Sequence, residues 1–271
     1  MFDEVIACLD GSSMAETILP LAHSLAAAKN GNLILLRIVA DTTELAAEEN
    51  DLRDCARQYG ATVRFLVAPD PAEAIVAEIK RSPEGGVAAL TTHGRSAWAE
   101  AILGSVALRV LREATRPIVL FRPLDRNTEA PKKIANIVAA LDGSEFAERI
   151  IPYAAKAALA LSAQLCLVQV LELSAAAAPL ESHQKSDVSE SSYLHWQAGA
   201  IKKTLGITPQ WEVLHGRPAE AICQYVKGTP DTLLALTTHA RRGVQLAIIG
   251  SVAAECTRRA RVPMLLYWPH P

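Results

Sequence analysis

Gly104-Ser105 and Gly250-Ser251 are the residues of this chain best suited to holding an anion. Each pair ends a repeated segment, LTTHGRSAWAEAILGSV at 90–106 and LTTHARRGVQLAIIGSV at 236–252, and each precedes a helical stretch. A glycine there lets backbone approach a ligand, the serine can cap the helix, and the free amides of a first helical turn attract negative charge. A second motif, Asp-Gly-Ser, closes an apolar run at 5–12 (VIACLDGS) and again at 138–144 (VAALDGS), so Asp10 and Asp142 stand at the same end of the fold as those amides. Together the two motifs make a phosphate-sized site. Each also has a plainer reading: Asp-Gly-Ser is a common turn and N-cap, Ser13 and Glu16 have the spacing of a capping box, and Gly-Ser is a common turn into a helix.

The neighbouring residues add little chemistry of their own. His93 and His239 have no second ligand at metal spacing, so structural roles are expected and no metal site is assigned. Arg95 follows the first loop, and Arg241 with Arg242 the second; a phosphate contact and a solvated surface cation both fit them. The chain has no G-x-x-x-x-G-K-[ST] loop, no G-x-G-x-x-G after its first strand and no G-x-S-x-G elbow. Nucleotide kinases, dinucleotide dehydrogenases and serine hydrolases thereby lose their anchors. No catalytic residue is expected.

The elements that position these motifs are repeated with them. Asp10 and Asp142 are offset by 132 residues, Gly104 and Gly250 by 146, so 14 residues (146 − 132) entered the second copy between the landmarks. A unit of that length is a domain and not a solenoid repeat. Apolar, β-branched runs at 5–9, 33–39, 62–67, 87–91 and 118–121 read as strands, and 14–29, 43–59, 72–81 and 106–114 as helices between them. The second copy has strands at 137–141, 165–171, 210–214, 233–236 and 264–267, with a surface loop expected around 174–192. Strict alternation implies an α/β fold of two tandem, open, doubly wound five-stranded parallel sheets with helices on both faces; the strand order expected by likeness to Rossmann-like folds is 3-2-1-4-5. The expected domains are 1–124 and 133–271, joined by a polar linker at 125–132.

Composition fits two compact domains. At 271 residues, 50% hydrophobic and 21% charged, each half can bury a core. A net charge of −2 without clustered Lys and Arg argues against nucleic acid as a partner. The charge-free run 157–171 is shorter than the ~20 residues of a spanning helix, and the start MFDEVIACLDG lacks a leader's basic region. No membrane contact is expected. Five cysteines without a C-x-x-C pair suggest reduced thiols in a cytoplasmic protein, packed as small hydrophobes.

Strand, Asp at its end, a fourth strand leading to Gly-x2-Gly-x9-Gly-Ser, then a final strand: this pattern resembles the universal stress proteins, twice over and across almost the whole chain. The resemblance implies an adenine nucleotide such as ATP, with or without magnesium, held by ribose or metal contacts from Asp10, an adenine-side backbone contact near Ile38, and phosphate contacts from the loop ending at Gly94 and from Gly104, Ser105 and Val106. Asp142, Val170, Gly250 and Ser251 are the weaker equivalents in the second domain. Thr91 and Thr237 stand where the family has its first glycine, and Ala240 where Gly94 has its equivalent. A non-glycine residue at positive φ costs about 1–2 kcal/mol, against the ~8 kcal/mol of a micromolar ligand. The first domain is therefore the better nucleotide site. The resemblance further implies a non-catalytic stress-response role and pairing through the last strands, 118–122 (IVLFR) and 264–268 (MLLYW), as an internal pseudo-dimer, with homodimerisation left open. The alternative is a structural interaction module with degenerate, nucleotide-free pockets.

Overall fold

The computed structural model describes residues 1–41, 45–92, 103–125, 127–172, 180–238 and 249–270. They form two compact units, Met1–Lys133 together with Leu265–Pro271, and Ile134–Met264. The expected linker at 125–132 lies within the first unit, and the closing residues of the second repeat are grouped with that unit as well.

The first unit contains β1 (Glu4–Leu9), α1 (Ser13–Glu16), α2 (Leu19–Ala27), β2 (Asn32–Val39), α3 (Leu45–Tyr59), β3 (Thr62–Val67), α4 (Pro71–Arg81), β4 (Gly86–Thr91), α5 (Ser105–Glu113) and β5 (Ile118–Phe121). Its strands run in the order β3-β2-β1-β4-β5, and every neighbouring pair is parallel. Parallel strands need crossover helices, which cover both faces, so the central strands read as continuous apolar runs. β4 shows it best: all six residues of GVAALT are buried. Val5 of β1 pairs with Leu33 on one side and Val87 on the other. The chain reverses its direction of travel across the sheet between β1 and β4, and that switch point opens a crevice at the carboxyl ends of the strands.

The single helix expected at 14–29 is two helices, α1 and α2. Pro20, in the first turn of α2, has no N–H to donate, and its ring displaces the carbonyl four residues back, at Glu16, where α1 ends.

In the second unit the elements are β6 (Asn136–Leu141), α6 (Glu145–Glu148), α7 (Ile151–Leu161), β7 (Gln164–Leu171), α8 (Leu180–Leu205), β8 (Gln210–His215), α9 (Pro218–Gly228), β9 (Thr232–Thr237) and α10 (Ser251–Arg259). The strand order β9-β6-β7-β8 is again parallel, and Pro152 breaks α6 from α7 as Pro20 does in the first copy. The loop expected at 174–192 is helical from residue 180, as the first half of α8. Buried Leu194, Gln197, Ala198 and Ile201 supply an i, i+3, i+4, i+7 stripe, and a helix once nucleated there extends cheaply into a polar segment free of Pro and Gly. The last strand, β10 (Met264–Tyr267), places Leu265–Tyr267 in the first unit, where β10 lies beside β5. Trp268 there sits against the Arg112 guanidinium, 5.9 Å from the ring centroid, and His270 Nε2 lies 3.0 Å from the Ala114 carbonyl.

Candidate functional site

The end of β1 turns through Gly11, whose φ of +79° suits glycine. Asp10 Oδ1 accepts hydrogen bonds from the Ser12 amide at 3.0 Å and the Ser12 hydroxyl at 2.6 Å. Ser12 Oγ in turn accepts from the Ala15 amide at 3.1 Å and caps α1. The cap is therefore Ser12, one residue before the Ser13–Glu16 box expected from spacing. The second unit repeats the arrangement, with Asp142 Oδ1 taking the Ser144 amide at 3.0 Å and hydroxyl at 2.6 Å, and Gly143 at a φ of +79°. Beneath each turn lies a long buried side chain from the neighbouring strand. Arg37, in register with Leu9, fills the space that a Cβ on Gly11 would need; Gln169, in register with Leu141, has its Nε2 3.4 Å from the Cβ position of Gly143.

Above the first turn is a cavity of about 270 Å³ at the carboxyl ends of β1, β2 and β4, reached by the N-termini of α4 and α5. Asp10, Ile38, Thr91, Gly104, Ser105 and Val106 all line it. Residues Gly94 and Arg95 lie outside the described residues, as do His93, His239, Ala240, Arg241 and Arg242. The sequence reading missed Cys8, Leu36, Thr92, Pro71 and Ile75 in the wall. For the first two a signal existed: Cys8 and Leu36 stand two residues before Asp10 and Ile38, on the same strand faces. Pro71 and Ile75 are one helical turn apart on α4, which brings an apolar face to the cavity. The lining is apolar along Leu9, Leu36, Ile38, Ile75 and Leu90, with polar groups from Asp10, Thr91, Thr92 and Ser105.

Gly104, and not Ser105, is the N-cap of α5, and the helix has no side-chain cap. Its φ of −61° is open to any residue, so the glycine is not required by conformation. Space is the constraint: the Gly104 amide donates to the Thr92 carbonyl at 2.6 Å, and a Cβ on residue 104 would lie 3.1 Å from that oxygen. The strain expected for threonine in the glycine places is likewise absent, because Thr91 ends β4 and Thr237 ends β9 without a positive φ. The first turn of α5 directs its N–H groups and positive dipole end toward the cavity wall formed by Gly104, Ser105, Val106 and Ala107.

Beside the cavity Asp70 caps α4, accepting from the amides of Ala72 at 3.0 Å and Glu73 at 3.2 Å. It also pairs with Arg109 of α5, whose Nε donates to Glu113 at 2.8 Å. The Glu73 amide and then the Arg109 guanidinium hold the Asp70 carboxyl below the usual carboxylate range. Burial in the cavity wall pushes the Cys8 thiol up to about 12, which leaves it protonated and inert at neutral pH.

In the second unit Asp142 holds its turn, Val170 is half-buried on β7, Gly250 caps α10 with a φ of −50°, and Ser251 is the first, exposed residue of that helix. Among the described residues no group of three His, Cys, Asp or Glu side chains could hold a metal ion, and no helix is long and apolar enough to cross a membrane.

Comparison with known proteins agrees with the fold. The sequence is 26% identical over 194 residues to the universal stress proteins Rv2005c of Mycobacterium tuberculosis and Mb2028c of Mycobacterium bovis, an alignment covering 69% of this chain and 63% of either relative. The fold matches a universal stress protein from Archaeoglobus fulgidus with a TM-score of 0.70 at 17% identity, covering 99% of both chains. A Pseudomonas aeruginosa protein of unknown function matches with a TM-score of 0.67 at 20% identity, over 98% of this chain and 92% of the other. The profile of the universal stress protein family fits residues 1–122 and, a second time, 133–267, and the chain accordingly belongs to that family as a tandem, two-domain member.

Proposed function

We propose that this tandem protein is a non-catalytic regulator of the stress response that binds an adenine nucleotide, ATP or AMP, in its first domain. The observation that carries the reading is the first-unit cavity, which gathers Asp10, Ile38, Thr91, Gly104, Ser105 and Val106 from four separate segments of chain at the switch point of the sheet. Its volume of about 270 Å³ is near the lower end of the ~300–1,000 Å³ of ligand sites. The apolar wall along Leu36, Ile38 and Ile75 suits a flat base, Asp10 a ribose hydroxyl or a magnesium ion, and the first turn of α5 a phosphate. Gly94 and Arg95 complete the phosphate loop in this proposal. The second-domain residues Asp142, Val170, Gly250 and Ser251 are a weaker version of the same site. The proposal also includes a cytoplasmic location and internal pairing of the two domains, each to be tested in its own right.

A specific observation favours the runner-up, a nucleotide-free interaction module: both Asp-Gly-Ser turns support a helix cap, with equal Asp–Ser distances in the two copies. That equality makes a clean experiment. Asp10→Ala and Asp142→Ala remove the same pair of bonds to the serine two residues on, while ATP titration by calorimetry should show one tight site that is lost only in Asp10→Ala. Two equal sites would refute the asymmetry, and no binding to the wild-type chain would favour the interaction module.

A further inference from the structure

The two Asp-Gly-Ser turns make the same bonds, yet the side chains beneath them differ by a full charge. Arg37 of β2 is in register with Leu9, and Gln169 of β7 holds the same place beside Leu141. Both side chains are buried, at 3% and 5% exposure. The strand neighbours of Arg37, Leu36 and Ile38, line the cavity, so Arg37 leaves the sheet on the other face and reaches the underside of the turn. Its guanidinium lies against Gly11, with Cζ and Nη1 each 2.7 Å from the position that a Cβ on residue 11 would occupy. Gly11, the residue after Asp10, thus leaves its side-chain space to a cation. A guanidinium is not deprotonated in proteins, and salt screens a buried charge much less than a surface one. Asp10 is the one described cavity-lining residue with a charged side chain, and its carboxylate repels a phosphate unless a cation stands nearby.

On the nucleotide reading of the cavity, which this inference requires, we propose that Arg37 is the built-in counter-charge of the first-domain site, so that the site takes an adenine nucleotide free of magnesium. A phosphate chain seated on the first turn of α5 shares the cavity with Asp10. Their repulsion can be offset by a divalent cation that bridges carboxylate and phosphate, or by a fixed cation of the protein. Arg37 supplies the second. A divalent ion on Asp10 would in turn face a buried positive charge one residue away, which can neither lose its proton nor retreat into water. The second domain differs in sign. Asp142 stands over the neutral amide of Gln169, and so keeps its attraction for a cation and its repulsion toward phosphate. The two domains are thereby set apart by the charge beneath the turn as well as by their loop residues.

Calorimetric titration of the full-length chain with ATP, in EDTA and again in excess magnesium chloride, tests it. Wild-type affinity should differ by less than about threefold between the two conditions. Arg37→Gln copies the second domain; its affinity in EDTA should fall by about tenfold or more, and magnesium should restore most of the loss. Arg37→Lys keeps the charge and should stay indifferent to magnesium. Thermal denaturation of the same samples checks that each variant is folded, and the wild-type comparison decides the matter even if Arg37→Gln is not. Wild-type binding that appears only with magnesium overturns the proposal and leaves the nucleotide site in place. A folded Arg37→Gln chain that binds like wild type in EDTA also overturns it. So does one weakened equally in both conditions, which would assign Arg37 to support of the turn alone. A wild-type chain that binds no ATP in either condition removes the nucleotide reading itself, and this inference with it.

Discussion

Gly104 shows how a residue can matter through the space it leaves rather than the conformation it adopts. With a φ of −61° it pays no penalty that another residue would share, and only the Thr92 carbonyl, 3.1 Å from the Cβ position, crowds it. Gly104→Ala should therefore change stability little. Gly104→Val adds a branched side chain at an N-cap position and against that carbonyl, with an expected cost of about 1–2 kcal/mol in stability. Its larger effect should be on binding, because the valine methyls enter the approach to the α5 amides. ATP affinity is expected to fall at least tenfold for valine and much less for alanine, measured by calorimetry beside thermal denaturation of the same samples. Unchanged affinity in a folded Gly104→Val chain would remove this loop from the site. At this scale the sequence was a good guide to which residues meet and a poor one to why. Asp10 and Gly104 were legible because their motifs recur in register, and Ile38 and Val106 through the family resemblance, while the role of glycine was misjudged because a residue type does not disclose its dihedral angles.

Among the elements, α4 and the edge strand β3 are joined by a buried carboxylate. Glu78 on α4 is nearly inaccessible, its side chain 3% exposed, and it pairs with Arg64 of β3 and Arg81 of its own helix, which are 38% and 71% exposed. Burial raises the Glu78 pKa, but hydrogen bonds from Arg64 and Arg81, and then their charges, outweigh it and leave the carboxyl below its ordinary value. A folded pKa below the unfolded one adds stability that is present above the unfolded value, ~4.3, and is lost as pH falls through the folded value. Glu78→Gln should cost about 1–3 kcal/mol at neutral pH, and the gap between variant and wild type should close below about pH 4. Urea unfolding at pH 7 and in acid measures both, and a gap independent of pH would assign the cost to packing instead. Pairings of this kind were not visible in the sequence: Arg64 and Glu78, or Asp70 and Arg109, are far apart along the chain and carry no periodic signal. The strands were legible because burial on both faces leaves nearly unbroken apolar runs. The break at Pro20 was legible in principle, from the i−4 clash. The helical half of 174–192 was not, because its polar composition matches a loop and the stripe that commits it to a helix lies downstream, at Leu194, Gln197, Ala198 and Ile201.

For the whole molecule, the repeat predicts two equivalent domains, yet the chain closes by giving Leu265–Pro271 to the first unit. There β10 lies beside β5, whose four residues are all buried. Strand β5 would otherwise present an apolar edge with unpaired backbone groups, the feature that drives strands of separate chains together. The closing residues also tie down the end of α5, through Arg112 against Trp268 at 5.9 Å and the His270 ring nitrogen 3.0 Å from the Ala114 carbonyl. Two variants of the chain separate edge protection from these side-chain ties. Trp268→Ala with His270→Ala removes the ties and leaves β10 in place; a modest loss of about 1–2 kcal/mol is expected, with the chain's association state unchanged. Truncation after Pro263 removes β10 itself. It should lower the melting temperature more than the double variant does and shift the chain to larger species in size-exclusion chromatography with light scattering. The same holds for the isolated fragment 1–133, which lacks the strand altogether and should self-associate, whereas adding a peptide of residues 264–271 in trans should reverse that association. A truncated chain that keeps both its melting temperature and its association state would show that β5 needs no covering strand, and that β10 contributes nothing to the first unit beyond proximity.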